Sequence, residues 1–185
     1  MFKDSSVGYG LVTILFHWIC ASLIVLIFGI GVYMRGLDYY SPWYHRGPAL
    51  HISLGLLVLL LMGLRLAWRL GNATPKPLPG INARAQLAAT VIKIALYAFT
   101  FIICISGYFV TTADGQPASF FTLFSFPATL ELSSVNVDRA GLAHKFVSWA
   151  IIGVAVLHGS AALFHHFVKR DRTLVRMLNP AAKID

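Results

Sequence analysis

The chain has 185 residues, enough for one domain, and 57% of them are hydrophobic against 12% charged. Soluble domains carry about 25% charged residues, so this chain has too few to cover a surface in water and is expected to face lipid. The 15 Lys and Arg against 7 Asp and Glu leave a formal charge of +8, but the basic residues fall between long apolar runs and after the last one. That distribution is membrane-flanking charge, not a nucleic-acid surface.

A helix needs about 20 apolar residues to cross the hydrocarbon core. Four runs qualify, at 11–34, 48–70, 85–113 and 141–168. Backbone polar groups in lipid must bond within their own segment, so these runs are helices. The expectation is one all-α domain over 1–185, an integral membrane four-helix bundle. The first run is too long for a cleavable signal and contains His17-Trp18, so it is expected to stay as a span.

The connections differ in character. Residues 35–47 are short and aromatic, with Tyr39, Tyr40, Trp43 and Tyr44, and read as an interfacial belt. Residues 72–82 carry Pro75, Pro77, Pro79 and Gly80, a stiff non-helical link. The longest loop, 111–139, holds the turn signal Asp114-Gly115 and an aromatic run from Phe120-Phe121 to Phe126. That run lies on the membrane surface or caps the bundle.

Positive charge sets the orientation. With the N-terminus inside, the inner set is Lys3, Arg65, Arg69, Lys76, Arg84, Lys169, Arg170, Arg172, Arg176 and Lys183. The outer set is only Arg35, Arg46, Arg139 and Lys145, and Lys93 sits in the third span, snorkelling to the inner surface. Both termini are therefore expected in the cytoplasm. Cys20 and Cys104 lie inside apolar runs and read as packing residues, not as a disulfide.

The histidines carry the chemistry, because an ionisable or ligating residue inside a span marks function by default. His17 lies in the first span, His51 opens the second, and His144 and His158 lie on the fourth. His45 is in the outer loop, while His165 and His166 fall near the inner surface. His144 and His158 are fourteen residues apart, roughly 21 Å along one helix and within about 40° of the same face. By depth, His51 pairs with His144 in an outer level and His17 with His158 in an inner one.

Two imidazoles with no nearby Cys, Asp or Glu are too few for zinc, which takes four ligands. They also lack the carboxylate of non-haem iron sites. Haem iron brings four nitrogens and needs only axial ligands, so each pair fits one b haem. The absence of Cys-Xaa-Xaa-Cys-His rules out covalent c-type attachment. Gly55, Gly153 and Gly159 leave room for a flat macrocycle, and Gly29 and Gly31 read as plain close-packing sites. Arg65, fourteen residues past His51, falls on the same stripe at the inner level. It is the candidate partner for an inner haem propionate, although Arg65 and Arg69 also read as snorkelling inner-surface residues. Arg46, Arg139 and Lys145 are the candidates at the outer haem edge.

Several short motifs accompany these histidines. They are Phe16-His17-Trp18, Leu50-His51 with Gly55, Arg65-Leu66 to Arg69-Leu70, His144, Leu157-His158-Gly159 and His165-His166-Phe167. A basic tail follows, with Arg170-Asp171, Thr173-Leu174 and Arg176-Met177-Leu178. In these residues, over nearly the whole chain, the sequence resembles the bacterial cytochrome b561 family. That family shares its fold with the membrane cytochromes b of nickel-iron hydrogenases and formate dehydrogenases.

The resemblance implies two b haems, axial ligation by His17, His51, His144 and His158, residence in the bacterial inner membrane, and exchange of electrons with ubiquinone. One relative oxidises superoxide at the periplasmic face and reduces ubiquinone, so superoxide or a periplasmic redox protein is the expected donor. The alternative is a haem-bearing anchor subunit that wires another periplasmic oxidoreductase to quinone. A non-redox transporter would be expected to show more spans and internal repeats.

Overall fold

The structure, a computed structural model, describes residues 1–130 and 132–180; Lys183 of the inner basic set lies outside them. Four long helices follow one another up and down: α1 (Leu11–Met34), α2 (Arg46–Leu70), α3 (Ala83–Thr111) and α4 (Ser134–Phe164). All four are long and apolar enough to cross a membrane. One end of the bundle carries the start of α1, the end of α2, the start of α3 and the end of α4. It is called the terminal end below, and the opposite end the loop end.

The helix bounds follow from local chemistry. No charged residue interrupts α1. Asn82 caps α3, its side chain accepting from the Ala85 N–H at 2.8 Å, which satisfies an otherwise orphan donor. The helix α4 begins seven residues before the apolar run from Gly141. Hydropathy marks only the stretch in hydrocarbon, whereas a polar turn such as Ser134–Arg139 extends the helix without cost in water. At its far end α4 passes into a π-helical turn, His165–Lys169, closed by Arg170 in the left-handed region at φ 54°. There the His165 ring nitrogen meets the Asp171 carboxylate. Partial burial pushes the Asp171 carboxyl up, but hydrogen bonds from His165 and Thr173 outweigh it and hold the group below its ordinary value.

Few apolar side chains are buried by protein. Cys20, Val58 and Met62 form a small core packed by Leu23, Ile24, Ile27, Leu61, Tyr97, Phe101 and Cys104. Residues such as Val25 and Leu87 stay 60% and 65% exposed. Lipid replaces protein as their neighbour, which is why a bundle this apolar needs only a thin core.

Each end is closed by chain segments. At the terminal end Trp18 Nε1 donates to the Met177 carbonyl at 2.7 Å, and Arg176 Nη1 donates to the Lys76 carbonyl at 3.1 Å. At the loop end the aromatic run forms a short antiparallel hairpin of β1 (Ala118–Phe120) and β2 (Phe124–Phe126). It docks on α2, as a cap on the bundle. Ser53 Oγ, in a residue 4% exposed, donates toward the Ala49 carbonyl at 2.9 Å and accepts from the Phe121 N–H at 3.0 Å. The tip is strained, since Phe121 and Thr122 both have positive φ, 47° and 61°, and each such residue costs about 1–3 kcal/mol. Ser53→Ala removes the bond that holds this turn. A loss of about 1 kcal/mol is expected, read as roughly fivefold faster amide exchange at Phe121 with exchange in the helices unchanged.

Candidate functional site

Seven residues advance a helix by about 10 Å and return it to within roughly 20° of the same face. Each of the four helices carries a three-residue stripe at this spacing. They are His17, Ile24 and Gly31 on α1; His51, Val58 and Arg65 on α2; Lys93, Thr100 and Gly107 on α3; and His144, Ile151 and His158 on α4. Because alternate helices run in opposite directions, the stripes align as three layers. The loop-end layer holds Gly31, His51, Gly107 and His144. The middle layer holds Ile24, Val58, Thr100 and Ile151. The terminal-end layer holds His17, Arg65, Lys93 and His158.

The two outer layers bring histidines together across the bundle. The His51 and His144 ring centres are 6.0 Å apart, and those of His17 and His158 6.2 Å. The spacing suits one metal shared between two imidazoles, each at a bond of about 2 Å. The middle layer closes the space between the two pairs, with Val58, Thr100 and Ile151 each 2% exposed.

The loop-end layer is built around its rings. A Cβ on Gly107 would stand 2.8 Å from His144 Cε1, and one on Gly31 would stand 3.1 Å from His51 Cε1. Only glycine lets the backbones of α3 and α1 approach the imidazoles this closely. His144 Nδ1 donates to the Ile103 carbonyl at 3.0 Å, with Ser106 Oγ beside it at 3.3 Å. A carbonyl only accepts, so the proton is on Nδ1 and the Nε2 lone pair is free to ligate. His51 Nδ1 is buried against α1, facing the Ile27 backbone as His144 Nδ1 faces that of Ile103. Between these residues lies a cavity of about 590 Å³, floored by the middle layer. It has the size of a cofactor site, about 300–1,000 Å³. Gly55 borders it with no atom within 4 Å of a Cβ position, a flat open wall. Gly153 and Gly159 likewise meet no neighbour. Arg35 and Lys145 are the cations in the cavity wall, while Arg46 and Arg139 are absent from it. Arg46 is exposed at the start of α2, and Arg139 bonds Asn136 on its own helix at 3.5 Å.

The terminal-end layer is electrostatically different. Arg65 Nη2 lies 3.2 Å from His17 Nδ1. A guanidinium only donates, so here Nδ1 accepts. The Arg65 and Arg69 guanidinium carbons stand 5.3 and 5.7 Å from the Tyr97 ring centre.

The donor set fits haem and little else. Among the described residues no three His, Cys, Asp or Glu side chains converge as ligands for a bare ion. Two facing imidazoles would suit haem iron, which brings four nitrogens of its own.

Residues 8–180 match the family described as prokaryotic cytochrome b561. The chain belongs to that family. Relatives cover most of its length. Cytochrome b561 homolog 2 of Escherichia coli K12 is 40% identical over 98% of this chain and 96% of its own. Cytochrome b561 homolog 1 of the same organism is 26% identical over 88% and 92%. A protein of Yersinia pestis named probable superoxide oxidase CybB is 29% identical over 92% and 95%. The chain is thus a multi-pass haem b protein of the bacterial inner membrane that transfers electrons.

Sequence reasoning passed over Gly107, and it read Lys93 and Arg35 only as membrane-flanking charge. The first two sit on α3, the helix without a histidine, but the fourteen-residue spacing that linked His51 to Arg65 also links Lys93 to Gly107. Gly31, read as mere close packing, backs a histidine. Gly107→Ala is expected to displace the His144 ring and lower the haem b bound per chain, measured as pyridine haemochrome. Gly63→Ala, at an exposed position with no atom within 4 Å, is expected to leave haem content unchanged.

Proposed function

We propose that the chain binds two b haems, one between His51 and His144 and one between His17 and His158, and carries single electrons between a periplasmic donor and ubiquinone. The observation that carries this reading is the pair of histidine couples, 6.0 and 6.2 Å apart, in two layers of one bundle. A b haem held between two such imidazoles would supply one-electron transfer.

The chain's own residues supply the rest. The Ile103 carbonyl fixes the His144 tautomer, and Gly31 and Gly107 let the loop-end rings back onto their helices. Ile24, Val58, Thr100 and Ile151 keep water out between the levels. Arg35 and Lys145 are placed to meet carboxylates at the cavity mouth. Arg65 meets a propionate at the terminal end. That pairing frees His17 Nδ1 to carry the proton, so that Nε2 can ligate.

The terminal end is cytoplasmic, by the excess of Lys and Arg there. The loop end then faces the periplasm with Arg35, His45, Arg46, Arg139 and Lys145, a field that draws a small anion. Superoxide is the proposed donor, supported by the likeness to the probable superoxide oxidase of Yersinia pestis. Two superoxide ions give two electrons and become two O₂. One ubiquinone takes both electrons and two protons and becomes the quinol.

The exposed hairpin tip, with Leu123 76% and Phe124 52% exposed, favours a second reading in which a periplasmic redox protein docks there and this chain is its anchor. Superoxide-driven quinone reduction by the isolated chain separates the two, since an anchor alone does not catalyse it.

Protein from haem-replete expression is expected to carry two haems per chain. The His51→Ala/His144→Ala and His17→Ala/His158→Ala variants are expected to carry one each, and a colourless wild type sinks the proposal. Arg46→Glu with Lys145→Glu is expected to slow superoxide-driven quinone reduction about tenfold or more at low salt, with the gap closing as salt rises. An unaltered rate removes electrostatic steering.

A further inference from the structure

The terminal-end layer carries more positive charge than its histidines need for ligation. Arg65 and Arg69 are four apart on α2 and share one face. Lys93 and Tyr97 are four apart on α3 and share another. The two faces meet, with both guanidinium groups over the Tyr97 ring at 5.3 and 5.7 Å. Lys93 lies within electrostatic reach of Arg69 and of His158, and Arg65 touches His17 at 3.2 Å. Both histidines of this layer thus have a fixed cation beside them.

No acid of the membrane-spanning stretches balances these charges, and the described acids of this end are engaged elsewhere, Asp4 with Gly10 and Thr13 and Asp171 with His165 and Thr173. Residues 11–34, 46–70, 83–111 and 140–164 contain no Asp or Glu. Three cations exceed the two carboxylates that a b haem brings. Arg65 and Lys93 are half-buried, where charge acts strongly on whatever stands between the histidines, and Arg69 is exposed beside them. At the loop end the cations of the cavity wall are Arg35 and Lys145, both exposed to solvent and its salt, so their field is screened. At that layer's position on α3 stands Gly107, where the terminal-end layer has Lys93.

We propose that Arg65, Arg69 and Lys93 make the His17/His158 site the more easily reduced of the two, so that electrons come to rest at the terminal end. Adding an electron adds one negative charge, and uncompensated positive charge favours that form. The ordering is built into the chain: a glycine-backed site at the loop end and a cation-backed site at the terminal end. Electrons supplied at the periplasmic face therefore run downhill toward the cytoplasmic half of the membrane.

The proposal rests on the two-haem reading, and one experiment separates the failure of each. Full-length holoprotein in nanodiscs is examined by visible spectroelectrochemistry, with haem per chain measured on the same samples. The wild type is expected to show two midpoint potentials. The His51→Ala/His144→Ala variant, which keeps only the terminal-end site, is expected to retain the higher one. Arg69→Gln with Lys93→Gln is expected to weaken reduction of that site tenfold or more, a fall of 59 mV for one electron, and to leave the lower midpoint in place. These two residues are chosen because, unlike Arg65, neither hydrogen-bonds a histidine, and haem per chain reports whether both sites stay loaded. A higher midpoint that belongs to the loop-end site overturns the proposal. So does a double variant that moves neither midpoint, or both equally, while two haems are bound. A wild type with one haem per chain sinks the two-haem reading and this proposal with it.

Discussion

Inside a lipid-facing bundle there is no water to satisfy an imidazole or a guanidinium, so every such group must find its partner on a neighbouring helix or on a bound group. The seven-residue recurrence is what makes that possible here. It keeps each helix's functional residues on one inward stripe and sets them at common depths. His51 and Arg65 are held in register by the same step that holds His144 and His158. The alternation of helix direction then turns four stripes into three layers.

The middle layer gives the two sites their independence. Val58, Thr100 and Ile151 are almost fully buried, and Thr100 spends its hydroxyl on the Leu96 carbonyl of its own helix at 2.7 Å. No polar group of that layer is left over to carry a proton or a water between the levels. Successive layers lie about 10 Å apart by helix rise, so the two pairs are close in space yet see different surroundings. His144 is set by a carbonyl acceptor, His17 by a guanidinium donor. Two histidine pairs thereby have opposite electrostatic neighbours.

Much of this architecture was legible in the sequence, because hydropathy and helical pitch are local rules. The four spans, the depth of each histidine and the place of Arg65 on the His51 stripe all follow from residue spacing. What escaped depends on contacts between helices. Nothing local to α3 says that Gly107 must be glycine; the reason is the His144 ring on α4. The start of α4 at Ser134 was hidden because hydropathy reports the hydrocarbon layer and not the helix. The hairpin from Ala118 to Phe126 was hidden because its decisive bond is donated to Ser53, almost seventy residues earlier in the chain. Arg35 reached the cavity wall, and Arg46 did not, through side-chain direction at the end of a helix, which spacing alone does not fix.

The position shared by Gly107 and Lys93 shows how one fold supports two unlike sites. At the loop end α3 must come so close to His144 that no side chain fits, and the charges at that level stand at the rim in water. At the terminal end α3 lends a long cation instead, Lys93, within electrostatic reach of His158. The exchange costs the bundle an uncompensated charge in lipid, which selection against instability alone would remove. That the terminal-end layer carries Arg65 and Lys93, with Arg69 one turn beyond Arg65, and no acid among them, argues that the charge serves what the histidines hold. A haem with its propionates lowers the electrostatic cost of those cations. Under the proposed ordering the same cations would favour the reduced form, so that binding the group and directing electrons would be two consequences of one layer.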